Sequence, residues 1–89
     1  MDMFVHYTAL PADLAIEDVV EQLNQALDDG GVVNGGYVLE HGGRIDMDLE
    51  EEKINPKLAQ NAVKTYLKRA RFPEDTRIEL GGMLIGLYE

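Results

Sequence analysis

The sequence predicts an α+β fold: one two-layer sandwich spanning residues 1–89, with a sheet on one side and two helices on the other. Three observations lead there. Short runs rich in β-branched and aromatic residues alternate with period two, as half-buried strands do. Two longer segments repeat apolar residues at helical spacing. The chain has 89 residues and is 45% hydrophobic, which gives it room for one core and no second domain.

The elements follow in chain order. Met3 to Thr8 alternates, with Met3, Val5 and Tyr7 on one face and Phe4, His6 and Thr8 on the other; Pro11 ends the strand. Between Asp13 and Asp29 the apolar residues Ile16, Val19, Val20, Leu23, Ala26 and Leu27 fall on one side of a helix. Asp13 suits its N-cap and Gly30-Gly31 its stop. A hairpin comes next, Tyr37–Glu40 and Arg44–Glu50 around His41-Gly42-Gly43. A three-residue loop there pairs Leu39 with Ile45, Tyr37 with Met47 and Glu40 with Arg44, so apolar meets apolar and acid meets base. Asn55-Pro56 opens a second helix as N-cap and first helical residue. Its predicted buried stripe is Leu58, Ala59, Ala62, Val63, Tyr66, Leu67 and Ala70, closed by Phe72-Pro73. Last, Thr76–Leu80 and Met83–Tyr88 flank Gly81-Gly82. A two-residue turn pairs Leu80 with Met83 and Ile78 with Ile85; one kinked strand is the alternative.

The order is therefore β-α-β-β-α-β, with a fifth strand if the last segment turns back. Right-handed crossovers favour a split β-α-β arrangement with the first and third strands side by side and parallel, in an antiparallel or mixed sheet with both helices on one face. This element order resembles the ferredoxin-like fold. The resemblance implies an architecture only, because that fold hosts many unrelated functions.

Charge is distributed unevenly. No lysine or arginine precedes Arg44, whereas Asp2, Asp13, Glu17, Asp18, Glu21, Asp28, Asp29 and Glu40 all do. The whole chain carries a formal charge of −9. Because phosphate neutralisation supplies most non-specific nucleic-acid affinity, no nucleic-acid partner is expected. Base stacking as in RNA-recognition motifs is not expected either: the third strand carries Arg44, Asp46, Asp48 and Glu50 where that surface needs aromatics. There is no cysteine, so no disulfide or thiolate metal site forms, which suits a reducing compartment. The segment MDMFVHYTAL has neither a basic flank nor a long apolar run, so no signal sequence is expected there, and no stretch is long enough to span a membrane. The expectation is a soluble, cytoplasmic protein.

No catalytic template stands out. The chain lacks serine, cysteine and tryptophan, and its Gly-Gly pairs match neither a dinucleotide fingerprint nor a phosphate loop. Three constellations remain. The first helix presents an acidic face of Glu17, Asp18, Glu21 and Asp28, and the second a basic face of Lys57, Lys64, Lys68 and Arg71. These serve either as solvated faces whose charges pair within the protein or as docking surfaces. On the sheet face away from the helices, His6, Asp46 and Asp48 form a candidate divalent-metal or general-base group. Successive outward carboxylates on a strand stand roughly 7 Å apart, which works against chelation. The terminal segment is apolar on both faces, making Leu84 and Tyr88 a candidate homodimer interface.

The function expected is that of a small acidic, non-enzymatic interaction protein, a homodimer without cofactor, which binds a basic protein partner through charged surfaces. The alternative is a small-ligand or metal-binding domain, an enzyme in one version, using the open sheet face around His6 and Asp46.

Overall fold

The computed structural model describes residues 1–88. Its elements are β1 (Asp2–Tyr7), α1 (Ile16–Leu27), β2 (Gly31–Leu39), β3 (Gly42–Leu49), α2 (Pro56–Arg69), β4 (Arg77–Leu80) and β5 (Met83–Gly86), with a 3₁₀ turn over Asp28–Gly30 after α1. The five strands form one antiparallel sheet in the order β2-β3-β1-β4-β5. The α+β class and the two helices agree with the sequence reading.

The first and third strands are neighbours, but antiparallel rather than parallel. The reason is topological. The crossover through α1 makes β1 and β2 parallel, and β3 reverses direction through a hairpin before entering the gap between them.

The helix-facing side of the sheet is the core. Met3, Val5, Ile45 and Ile78 are sealed there against Val19 and Leu23 of α1 and Val63 and Leu67 of α2. The helical spacing assigns Leu58 to the buried stripe of α2, but it is 62% exposed. It lies one position to the side of Ala59, Val63 and Leu67, which carry the contact. Ala26 is likewise exposed on α1. Tyr66 reaches across to α1, donating its hydroxyl to Gln22 Oε1 at 2.6 Å.

The caps differ between the helices. Asn55 Oδ1 accepts the Lys57 N–H at 2.8 Å, and Pro56 takes the first helical position as expected. Asp13 does not cap α1. The helix starts later, behind Ala15, and Asp18 reaches back to accept the Ala15 N–H at 3.1 Å.

The hairpins also divide. At Gly81-Gly82 both glycines have positive φ, and Leu80 pairs with Met83 and Ile78 with Ile85, as the two-residue turn predicts. At the other hairpin the turn is Glu40-His41, Leu39 pairs with Gly42, and Tyr37 pairs with Arg44. The glycines are needed inside β3 rather than in the loop. Tyr7 passes over Gly43 to donate its hydroxyl to the Tyr37 carbonyl at 2.8 Å, and a Cβ at Gly43 would collide with both groups. Strand β2 also begins at Gly31, with a bulge between Val33 and Gly35.

Candidate functional site

Two surfaces carry the residues singled out by sequence. The first is the outer face of α1. Glu17, Asp18, Glu21 and Asp28 are all exposed. Asp18 is occupied at the helix start. Among the described residues, Glu17, Glu21 and Asp28 make no ion pair; the pairs found involve Asp46, Asp48, Glu51, Glu79 and Glu40. Glu17 stands in the first turn, where the helix dipole favours an anion, but the placement of Glu21 and Asp28 works against the helix. Glu17 and Glu21 sit one turn apart, a like-charge spacing that costs roughly 0.2–0.5 kcal/mol. Asp28 stands at the C-terminal end, where the helix dipole disfavours an anion, and the last turn holds no basic residue.

The basic face of α2 is arranged otherwise. Lys57 and Lys68 are exposed and Lys64 is half-buried, whereas Arg71, also exposed, lies beyond the end of α2 in a positive-φ conformation. Lys68 lies in the last turn, where a cation is favoured, and its Nζ sits 5.2 Å from the centre of the Tyr88 ring. Lys64 also has an interaction partner. Tyr88, a candidate interface residue, is thus already engaged, though 59% exposed; Leu84 on β5 is 60% exposed.

The second surface is the open face of the sheet. Strand pairing sets its residues in rows. One row runs Tyr37, Arg44, His6 and Arg77 across β2, β3, β1 and β4; the next runs Gly35, Asp46, Phe4, Glu79 and Leu84. The Arg44 guanidinium sits between two rings, 5.6 Å from the Phe4 centroid and 5.5 Å from that of Tyr37. It grips Asp46 from one side, with Nε 2.6 Å from Oδ1 and Nη2 donating to Oδ2 at 3.1 Å. His6 Nε2 lies 3.0 Å from Glu79 Oε1. Asp48 faces the Met1 α-amino group at 3.4 Å. Burial lowers the pKa of that ammonium, but Asp48 and Glu51 outweigh it and hold the group above its ordinary range.

His6, Asp46 and Asp48 therefore each face a different partner. Among the described residues no cluster of three or more metal-ligating side chains forms. The carboxylate that meets His6 is Glu79, which sequence reading missed. Its signal lay in the register of β4, where Glu79 lies opposite Phe4 and diagonal to His6. Tyr37 was missed for the same reason, because the shifted hairpin register moved it beside Arg44. A shallow cavity of about 380 Å³ opens here, lined by His6, Tyr37, Leu39, Gly43 and Arg44.

Comparison with models of known families, with curated proteins and with solved structures returned no match for this chain. Among the described residues no helix is long and apolar enough to cross a membrane.

Proposed function

We propose that this protein is a small acidic interaction module, a cytoplasmic homodimer without catalytic activity, that docks a basic protein partner on the outer face of α1. We read its strand order as the ferredoxin-like arrangement with β5 added at one edge. The observation that carries the functional reading is the state of Glu17, Glu21 and Asp28. These three carboxylates are exposed and, among the described residues, make no ion pair. Glu17 is favoured in the first turn, but Glu21, one turn from Glu17, and Asp28, at the C-terminal end, stand where an anion costs helix stability. Carboxylates serving the fold would be expected opposite cations; a row held ready at a cost suits an electrostatic docking face, which accelerates encounter with a cationic partner.

The test is a titration with a lysine- and arginine-rich peptide. The double variant Glu17→Lys/Glu21→Lys is compared with a control carrying the same charge change, Glu50→Lys/Glu51→Lys. The reading predicts salt-dependent binding that the α1 variant weakens far more than the control. Equal weakening by both would reduce the effect to net charge and remove the docking face.

A second reading is favoured by a separate observation, the arginine held between Phe4 and Tyr37 beside an apolar cavity. On this reading the open face around His6 and Asp46 takes a small ligand, with His6 and Glu79 as a proton-handling pair. A divalent metal at His6, Asp46 and Asp48 requires all three side chains to leave their present partners. Titrating zinc or magnesium while following melting temperature decides it: a rise abolished by His6→Ala supports the metal site, and no rise removes it.

A further inference from the structure

We infer that the free edge of β2 is the interface between two copies of this chain, joined antiparallel about a two-fold axis at Val38. This deepens the homodimer element of the proposed function and rests on it. Strand β2 lies at the end of the sheet, so alternate N–H and C=O groups along it have no strand beside them. It is nine residues long and carries no charged residue. Edge strands are ordinarily blunted by charges, proline, shortness or bulges. The first half of β2 is blunted in this way: the bulge falls between Val33 and Gly35, and Asn24 Oδ1 already accepts the Val33 N–H at 2.8 Å. The second half has no such protection. Tyr37, Val38 and Leu39 are consecutive, apolar, and 47%, 65% and 63% exposed. Successive strand residues point to opposite faces, so the strand is uncovered on both sides at this end.

Charge selects a second copy as the occupant. A two-fold interface brings a patch against itself, and for a chain of net charge −9 most surfaces would then oppose acid to acid. An uncharged strand avoids this. With the axis at Val38, Tyr37 packs beside Leu39 of the other copy on one face, and the two Val38 side chains meet on the opposite face. Glu40 then lies opposite the other copy's Gly36, which leaves room for it. The two Glu40 carboxylates stand roughly 13 Å apart along the strands, beyond the screening length of about 8–10 Å. The opposite edge is less suited. β5 has four residues, a length that itself protects an edge, and Tyr88 beyond it is engaged with Lys68.

Sedimentation equilibrium on the full chain tests the inference, using the parent protein, Val38→Lys and Leu84→Lys. The parent is expected to be a dimer, and Val38→Lys to raise its dissociation constant by about a hundredfold or more, because the two-fold axis sets the two ammonium groups face to face and removes two buried valines. Leu84→Lys should leave the dimer intact. Both positions are exposed, so circular dichroism and melting temperature should match the parent. A monomeric parent overturns the inference. So does a dimer that survives Val38→Lys, or one that Leu84→Lys dissociates, which would move the interface to β5. The peptide titration of the α1 variant reads the docking face separately, so the two ideas fail independently.

Discussion

The two helices bury similar stripes and differ in the charge at their C-terminal ends. In α2 the last-turn charges fit the fold: Lys68 and Arg69 sit there, and Lys68 approaches the Tyr88 ring. At the other end Asn55 caps the start although Lys57 is a cation in the first turn, and Lys64 and Lys68 repeat a one-turn like-charge spacing. In α1 Glu17 and Asp18 suit the first turn and Asp18 accepts the Ala15 N–H, but Glu17 and Glu21 repel one another and Asp28 sits at the unfavourable end with no cation in the last turn. The inner faces hold both helices to the sheet, so α1 tolerates an outer face that does not help it fold. The contrast lies at the C-terminal ends, where α1 carries Asp28 and no cation while α2 carries Lys68 and Arg69. An anion kept at a cost to stability is the pattern expected when selection on it acts through something outside the chain.

Mutations sharpen this comparison. The largest effects should be equal for the two helices: Leu23→Ala in α1 and Leu67→Ala in α2 each remove a fully buried side chain and should cost about 2–5 kcal/mol in chemical denaturation. A cost confined to one of them would mean that only that helix is anchored. At the caps the helices should diverge. Asn55→Ala should lose about 1 kcal/mol, whereas Ala15→Ser, placed where the backbone is already extended, should gain about 0.5–1 kcal/mol.

The contact between the helices should show in alkaline unfolding. Burial, followed by the charge of Asp18, raises the Tyr66 pKa above its ordinary value of 10.0. Its folded pKa thus exceeds its unfolded one, so its contribution is complete below pH 10 and is lost as pH rises through the folded value. Burial alone raises Tyr7 in the same direction. Melting temperature should therefore fall between pH 9 and 11, less steeply in Tyr66→Phe than in the parent.

The smallest effects carry the sign that matters most. Glu21→Gln should raise stability by about 0.2–0.5 kcal/mol, while Lys68→Gln should lower it by about 0.5 kcal/mol. A loss of stability in Glu21→Gln would show that the acidic face serves the fold.

Sequence periodicity made the helices, the strand faces and the Asn55-Pro56 start legible, because each is a local pattern. The Gly81-Gly82 turn was legible too, since its glycines adopt the positive φ for which a turn selects glycine. The same dipeptide misled at Gly42-Gly43. There the second glycine is demanded by Tyr7, thirty-six positions away in sequence, and no local pattern reveals that. The open-face site was half legible for the same reason. His6 and Asp46 follow from alternation within their own strands, but the partners that occupy them depend on register: Glu79 sits by His6 through β4, and Tyr37 by Arg44 through the shifted hairpin. The state of the helix charges was likewise beyond the sequence, which allowed the acidic and basic faces to neutralise each other. Among the described residues no ion pair reaches Glu17, Glu21 or Asp28.

The central claim, that the outer face of α1 is the docking surface, is tested most directly by amide chemical-shift mapping during titration with the basic peptide. The account predicts that perturbed amides cluster between Glu17 and Asp28 and that added salt reverses them. Perturbations centred on the acidic stretch from Asp46 to Glu52, or spread evenly over the surface, would contradict it.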